Sequence, residues 1–120
     1  MTNEFQFEKF PVYQKSEEFY VHVIQIFKNK KIEKHIQDQL KRAALSIVLN
    51  IAEGSGKYSK NDKKNFYIIA KGSVNECVAL LRILKIEQYI SEDLFSALYD
   101  LLCSIAKMLS GLIRSMLQRE

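Results

Sequence analysis

From Ile36 to Ile51 the apolar residues Ile36, Leu40, Ala43, Ala44, Ile47, Val48 and Ile51 are spaced i, i+4, i+7, i+8, i+11, i+12 and i+15. That spacing places all seven on one face of an α-helix and would scatter them over both faces of a strand. Two later stretches keep the same rhythm. Phe66, Ala70, Ser73, Cys77, Leu80 and Leu84 advance by alternating fours and threes, and so do Leu94, Leu98, Leu101, Ile105, Met108 and Leu112. An earlier stretch after Pro11 carries Val12, Phe19, Val23, Ile26 and Phe27. Only Lys28–Lys31, Gly54–Ser59 and Gln88–Ser91 interrupt the pattern, and each is as short as a helix–helix connection in a bundle. The expectation is an all-α, up-down-up-down four-helix bundle, one domain over residues 1–120.

Local signals agree. The single proline among 120 residues is Pro11, suited to a first helical position. Gly54 and Gly56 mark the end of the second helix as C′-type glycines. Ser59 with Asp62 three residues on reads as a capping-box variant. Ser91 precedes Glu92 and Asp93, which suit a helix N-terminus, and Ile90 and Phe95 are placed for a hydrophobic staple. A chain of 14.0 kDa buries roughly two-thirds of its unfolded surface, enough for a core without disulfides or metals.

The fourth helix has more apolar surface than one core needs. Its polar and small positions Ser96, Asp100, Ser104, Lys107, Gly111 and Arg114 occupy a sector of only about 80°. A helix lying on a monomeric core needs an apolar stripe of a little over about 100°, and this one has about twice that. The surplus predicts a second subunit, with Leu102, Leu109, Ile113 and Met116 at the oligomer interface.

Catalytic constellations are sparse. His22 and His35 are the only histidines, and neither has partners at zinc-ligand spacing. The Glu-x-x-His pairs of di-iron bundles are missing, because Glu18 and His22 stand four apart. A helical RNase of the HEPN type needs Arg shortly before His, yet the first arginine, Arg42, follows both histidines. The run from Gly54 to Ser59 lacks Walker spacing and follows a helix, not a strand. Neither a metal nor a cofactor is expected. The second helix does carry a polar seam, Arg42, Ser46, Asn50 and Glu53, and the third offers Ser73 and Glu76 in similarly apolar company. These six could set two carboxylates to acid–base work. The plainer reading, and the expectation, is a buried network in which Arg42 neutralises a carboxylate and the helix register is fixed.

Charge is uneven. The 18 Lys and Arg exceed the 14 Asp and Glu by four, but residues 28–64 hold ten bases against four acids. Lys28, Lys30, Lys31 and Lys34 form one cluster, and Lys57, Lys60, Lys63 and Lys64 another. Both read as phosphate contacts for RNA or DNA, or more plainly as solvated loop lysines. Tyr58 and Tyr67 are the only aromatic stacking candidates near the basic run, so base-specific reading is not expected.

The segment from Gln39 to Gly54, QLKRAALSIVLNIAEG, followed by Gly56-Lys57, closely resembles the pattern QLRRAA-SI--NIAEG-GR of the 23S rRNA-intervening-sequence proteins, an S23-like four-helix-bundle family. Phe66 to Glu76 is similar to that family's F--IA-GS--E segment, and the likeness runs from about Phe10 to Met116. Lys41 and Lys57 stand where the family usually has Arg, which keeps the charge and loses the bidentate fork. Arg42, Asn50, Glu53, Ser73 and Glu76 match the motif. The resemblance implies a bacterial protein without established activity and related bundles that form pentameric barrels. It also implies kinship with the accessory variability determinant of diversity-generating retroelements, which binds nucleic acid and a reverse transcriptase.

No basic n-region followed by an apolar run opens the chain, and no membrane span is expected. Cys77 and Cys103 show no framework spacing and suit a reducing compartment, so the cytoplasm is expected. Together these readings predict a non-enzymatic homo-oligomer, favoured as a pentamer, that binds nucleic acid electrostatically. The alternative is a protein-interaction scaffold without nucleic-acid contact.

Overall fold

The computed structural model describes residues 5–117. A short 3-10 helix, Gln6–Lys9, precedes four α-helices: α1 (Pro11–Ile26), α2 (Lys34–Ser55), α3 (Lys60–Ile86) and α4 (Glu92–Met116). No strand is present among the described residues. Each helix packs on the next, and α4 closes onto α1, so α1 and α3 stand diagonally across the set, as do α2 and α4. The molecule measures 50 × 33 × 24 Å, and α3, its longest helix, spans about 40 Å at 1.5 Å per residue.

The helix starts follow the sequence signals. Pro11 takes the first turn of α1. The Ser59 hydroxyl accepts a hydrogen bond from the Asp62 N–H at 3.0 Å, and the Ser91 hydroxyl accepts one from the Leu94 N–H at 3.0 Å. Each cap satisfies one orphan donor of the first turn and contributes about 1 kcal/mol. Ile90 and Phe95 are both buried across the second cap.

The helix ends do not. Gly56 closes α2 in the ordinary right-handed region, with φ of −88°, so no left-handed turn requires glycine there. Gly54 is needed for a different reason. A Cβ on it would sit 2.8 Å from the Cβ of Phe66 and 3.1 Å from the Tyr67 ring, so its bare backbone lets α3 approach α2 closely. The left-handed position falls at Gln88, with φ of 65°, after α3. There the Tyr89 N–H donates to the Leu84 carbonyl at 2.9 Å and the Gln88 N–H to the Lys85 carbonyl at 3.0 Å, the paired bonds of a Schellman ending. A non-glycine residue held this way costs about 1–2 kcal/mol.

One core joins the four helices. All seven apolar positions of α2 expected inside are buried. In α3 the buried line runs through Tyr67, Ala70, Ser73, Val74, Cys77, Leu81 and Leu84, with Phe66 and Leu80 only half-buried. In α4 it runs through Phe95, Leu98, Leu102, Ile105 and Leu109, while Leu94, Leu101, Met108 and Leu112 pack half-buried against it. Ala70, Ser73, Cys77 and Leu84 of the expected α3 seam and Leu98 and Ile105 of the α4 seam are buried, and both buried lines are turned by about half a residue from the seams expected. Leu102 and Leu109 are the correction that matters, because both lie fully inside the chain's own core and neither is available to another subunit. Ile113 and Met116 are half-buried. With a mean hydropathy of 1.4 over 18 residues, α4 is the one helix among those described long and apolar enough to cross a membrane. Its deepest side chains are spent on the bundle core.

Candidate nucleic-acid interface

The two basic clusters lie at the connections that flank α2 and on the helix starts beside them, Lys34 opening α2 and Lys60, Lys63 and Lys64 in the first turns of α3. They stand at opposite ends of α2, a 22-residue helix about 33 Å long. At its start Lys28, Lys30 and Lys31 are exposed and have no carboxylate partner among the described residues. Lys34, also exposed, pairs with Asp38 one turn on at 3.1 Å. A pair this open to water contributes little to stability.

At the other end the four lysines divide. Lys57 lies 3.4 Å from Glu53 and 5.2 Å from the centre of the Phe66 ring. Lys63 donates to the Ser55 carbonyl at 3.1 Å, satisfying one of the last carbonyls of α2. Both are half-buried and belong to the joint between α2 and α3. Lys60 is exposed and Lys64 half-exposed, and neither has an acidic partner among the described residues. Between Lys57 and Lys60 stands Tyr58, whose fractional exposure of 103% leaves its ring as open as in an extended peptide. Tyr67, the other stacking candidate, is 2% exposed, and its hydroxyl lies 3.1 Å from that of Ser55. It is a core residue of the same joint.

The expected buried network shrinks to its neutral members. Ser73 donates to the Ser46 hydroxyl at 2.8 Å, and the Asn50 side-chain amide donates to the Ser46 hydroxyl at 3.0 Å and carbonyl at 2.8 Å. These three short side chains tie α2 to α3. Arg42, Glu53 and Glu76 are exposed and stand outside it. The Glu53 side chain is 57% exposed and pairs only with Lys57. The reason is reach and hydration. A charged group at the edge of a seam keeps its water, whereas a serine hydroxyl can be enclosed once it has one partner. The acid–base reading of Glu53 and Glu76 loses its enclosed pocket with the same observation.

Among the described residues no group of His, Cys, Asp and Glu could hold a metal ion. Cys77 is buried, and that burial, with a smaller push from the Glu76 charge, raises its thiol to about 12. It is an unreactive core residue.

Sequence reasoning missed the exposed apolar residues, among them Ile68, Ile69, Ile83 and Ile86 of α3. Val21 and Ile24 of α1 and Leu45 and Leu49 of α2 are exposed. A shallow groove between these helices is lined by Glu17, Tyr20, Val21, Leu45 and Val48. Leu45 and Leu49 lie off the seven-residue stripe of α2, and that departure was the available signal. On α4, by contrast, Tyr99 is the only large apolar residue counted as exposed.

The 23S rRNA-intervening sequence protein family matches residues 8–111, which takes in all four helices almost to the end of α4. The chain belongs to that family. A crystal structure from Bacteroides thetaiotaomicron, described as a protein of unknown function from the S23 ribosomal protein family, superimposes with a TM-score of 0.80 at 28% sequence identity. The alignment covers 86% of this chain and 98% of that one. No curated relative matches. Family and structural neighbour carry no enzymatic indication.

Proposed function

We propose that this chain is a non-enzymatic, cytoplasmic up-down-up-down bundle that assembles into a ring, five-membered as its family resemblance suggests, and binds RNA or DNA electrostatically. The observation that carries the reading is uncompensated charge. Lys28, Lys30, Lys31, Lys60 and Lys64 have no acidic partner among the described residues, and they stand at both ends of α2. A lysine already paired with a carboxylate gains little from a phosphate, whereas a free one releases a condensed counterion when it binds. Assembly multiplies each cluster around the ring. Support for assembly comes from the apolar groove between α1 and α2. The same groove favours the second reading, a scaffold for another protein.

Polarisation titrations of labelled RNA and DNA at about 50 and about 200 mM salt separate the two. The expected result is binding at the lower salt with a steep loss at the higher. Changing Lys60 and Lys64 to Glu should weaken binding more than the same change at Lys85, which is held by Glu92 at 3.5 Å, and Lys107. An intact oligomer that binds neither nucleic acid at the lower salt overturns the nucleic-acid reading and leaves the scaffold in possession.

A further inference from the structure

The α2–α3 connection does more than carry charge. We propose that Tyr58 is a base-stacking platform, and that the ligand of this end of the bundle is a single strand, not a duplex. The inference rests on the nucleic-acid reading above and names its substrate class.

Exposure is the first argument. A tyrosine buries a large apolar area when a fold can use it, and every other tyrosine among the described residues has at least part of its surface covered. Tyr58 has none covered, makes no hydrogen bond and touches no aromatic ring among the described residues. Its surroundings supply the second. Lys57 precedes it, and Lys60 and Lys64 follow at i+2 and i+6, one turn apart on the first turns of α3. The only carboxylate in residues 57–64 is Asp62, so the segment carries a net charge of +3. An aromatic face flanked by lysines that reach phosphates is the arrangement that holds unpaired nucleotides.

The third argument is space. Beside Lys57 a groove of about 560 Å³ runs between the C-terminal end of α2 and the segment before α1, with Phe5, Phe7, Leu49 and Ala52 as its apolar wall and Gln6, Ser55 and the Glu53–Lys57 pair as its polar one. Its apolar wall suits the flat face of a base turned away from its backbone, and its polar wall suits the base's edge. Paired bases in a duplex present only their edges, so neither the ring of Tyr58 nor the groove can reach their faces. Backbone charge alone would serve either form of nucleic acid; the aromatic ring serves only one.

The test compares a fluorescein-labelled oligo(U) or oligo(dT) strand of about twelve nucleotides with a mixed-sequence duplex of the same length at about 50 mM salt. Wild-type protein should bind the single strand more tightly. Tyr58→Ala should weaken single-strand binding by about 5- to 100-fold and change duplex binding by less than about twofold, and Tyr58→Phe should retain wild-type affinity. The salt slope of Tyr58→Ala should match wild type, because stacking releases no counterions, whereas Lys60→Glu should reduce it by about one. An exposed, unbonded side chain can be removed without loss of fold, which a matched thermal melt establishes. Tyr58→Ala binding the single strand as wild type does, or a preference for the duplex, overturns the stacking platform and leaves the nucleic-acid reading standing. Failure of wild-type protein to bind either form overturns both.

Discussion

α2 and α4 are close in length, 22 and 25 residues, and the sequence ranks them differently from the structure. α2 reads as a narrow apolar stripe beside a polar seam, and α4 as apolar nearly all round. The structure nevertheless exposes Leu45 and Leu49 on α2 and takes most of the apolar surface of α4 into or against the core. A stripe of about 100° suits a helix lying on a flat layer. A helix in a closed set of four is gripped on two flanks as well as from the centre, so a wider arc is used. α4 fills that arc with Leu102 and Leu109 at its centre and Leu101, Met108 and Leu112 on its sides. α2 instead meets α3 through small groups, Gly54 and the Ser46–Ser73 bond, and holds its surplus leucines outside. Apolar width therefore does not locate exposed apolar surface; residues off the stripe do.

The strongest way to break this comparison is Leu102→Ala. Truncating a fully buried leucine should cost about 2–5 kcal/mol in urea denaturation. Unaltered stability with a smaller oligomer would return Leu102 to a subunit interface. Next is the double substitution of Leu45 and Leu49 by Glu. It should lower the assembly state seen by multi-angle light scattering while the protomer's stability moves by no more than about 0.5 kcal/mol per site. A wild type that is monomeric at micromolar concentration removes the ring altogether. The smallest effect belongs to Glu53→Ala. Exposed and paired only with Lys57, it should shift stability by no more than about 0.5 kcal/mol. A loss of several kcal/mol would mean that its charge is enclosed after all.

Much of the candidate site could be read in advance, and the limits are specific. The lysine clusters follow from composition and from where the periodicity breaks. Their division into free and engaged members does not, because Lys63 is committed by the Ser55 carbonyl that α3 brings within 3.1 Å. Tyr58 and Tyr67 are equal in sequence, both near the basic run. One is fully open and the other closed over by α2.

What the sequence determined by itself is the set of helices: where α1, α3 and α4 begin, through Pro11, Ser59 and Ser91, and which residues of α2 face inward. Those are local matters, settled by capping groups and by a stripe with no competing alignment. The rotation of α3 and α4 was left to tertiary packing. Leu101 beside Leu102, and Met108 beside Leu109, offer two seams one residue apart that bury similar apolar area, so transfer free energy alone hardly separates them. The neighbours choose, because close packing admits only one interlocking of side chains. Packing likewise decided that Gly54 lets α3 approach and that the left-handed turn falls to Gln88, since only the partner helix fixes how near the backbone must come and where α3 has to stop.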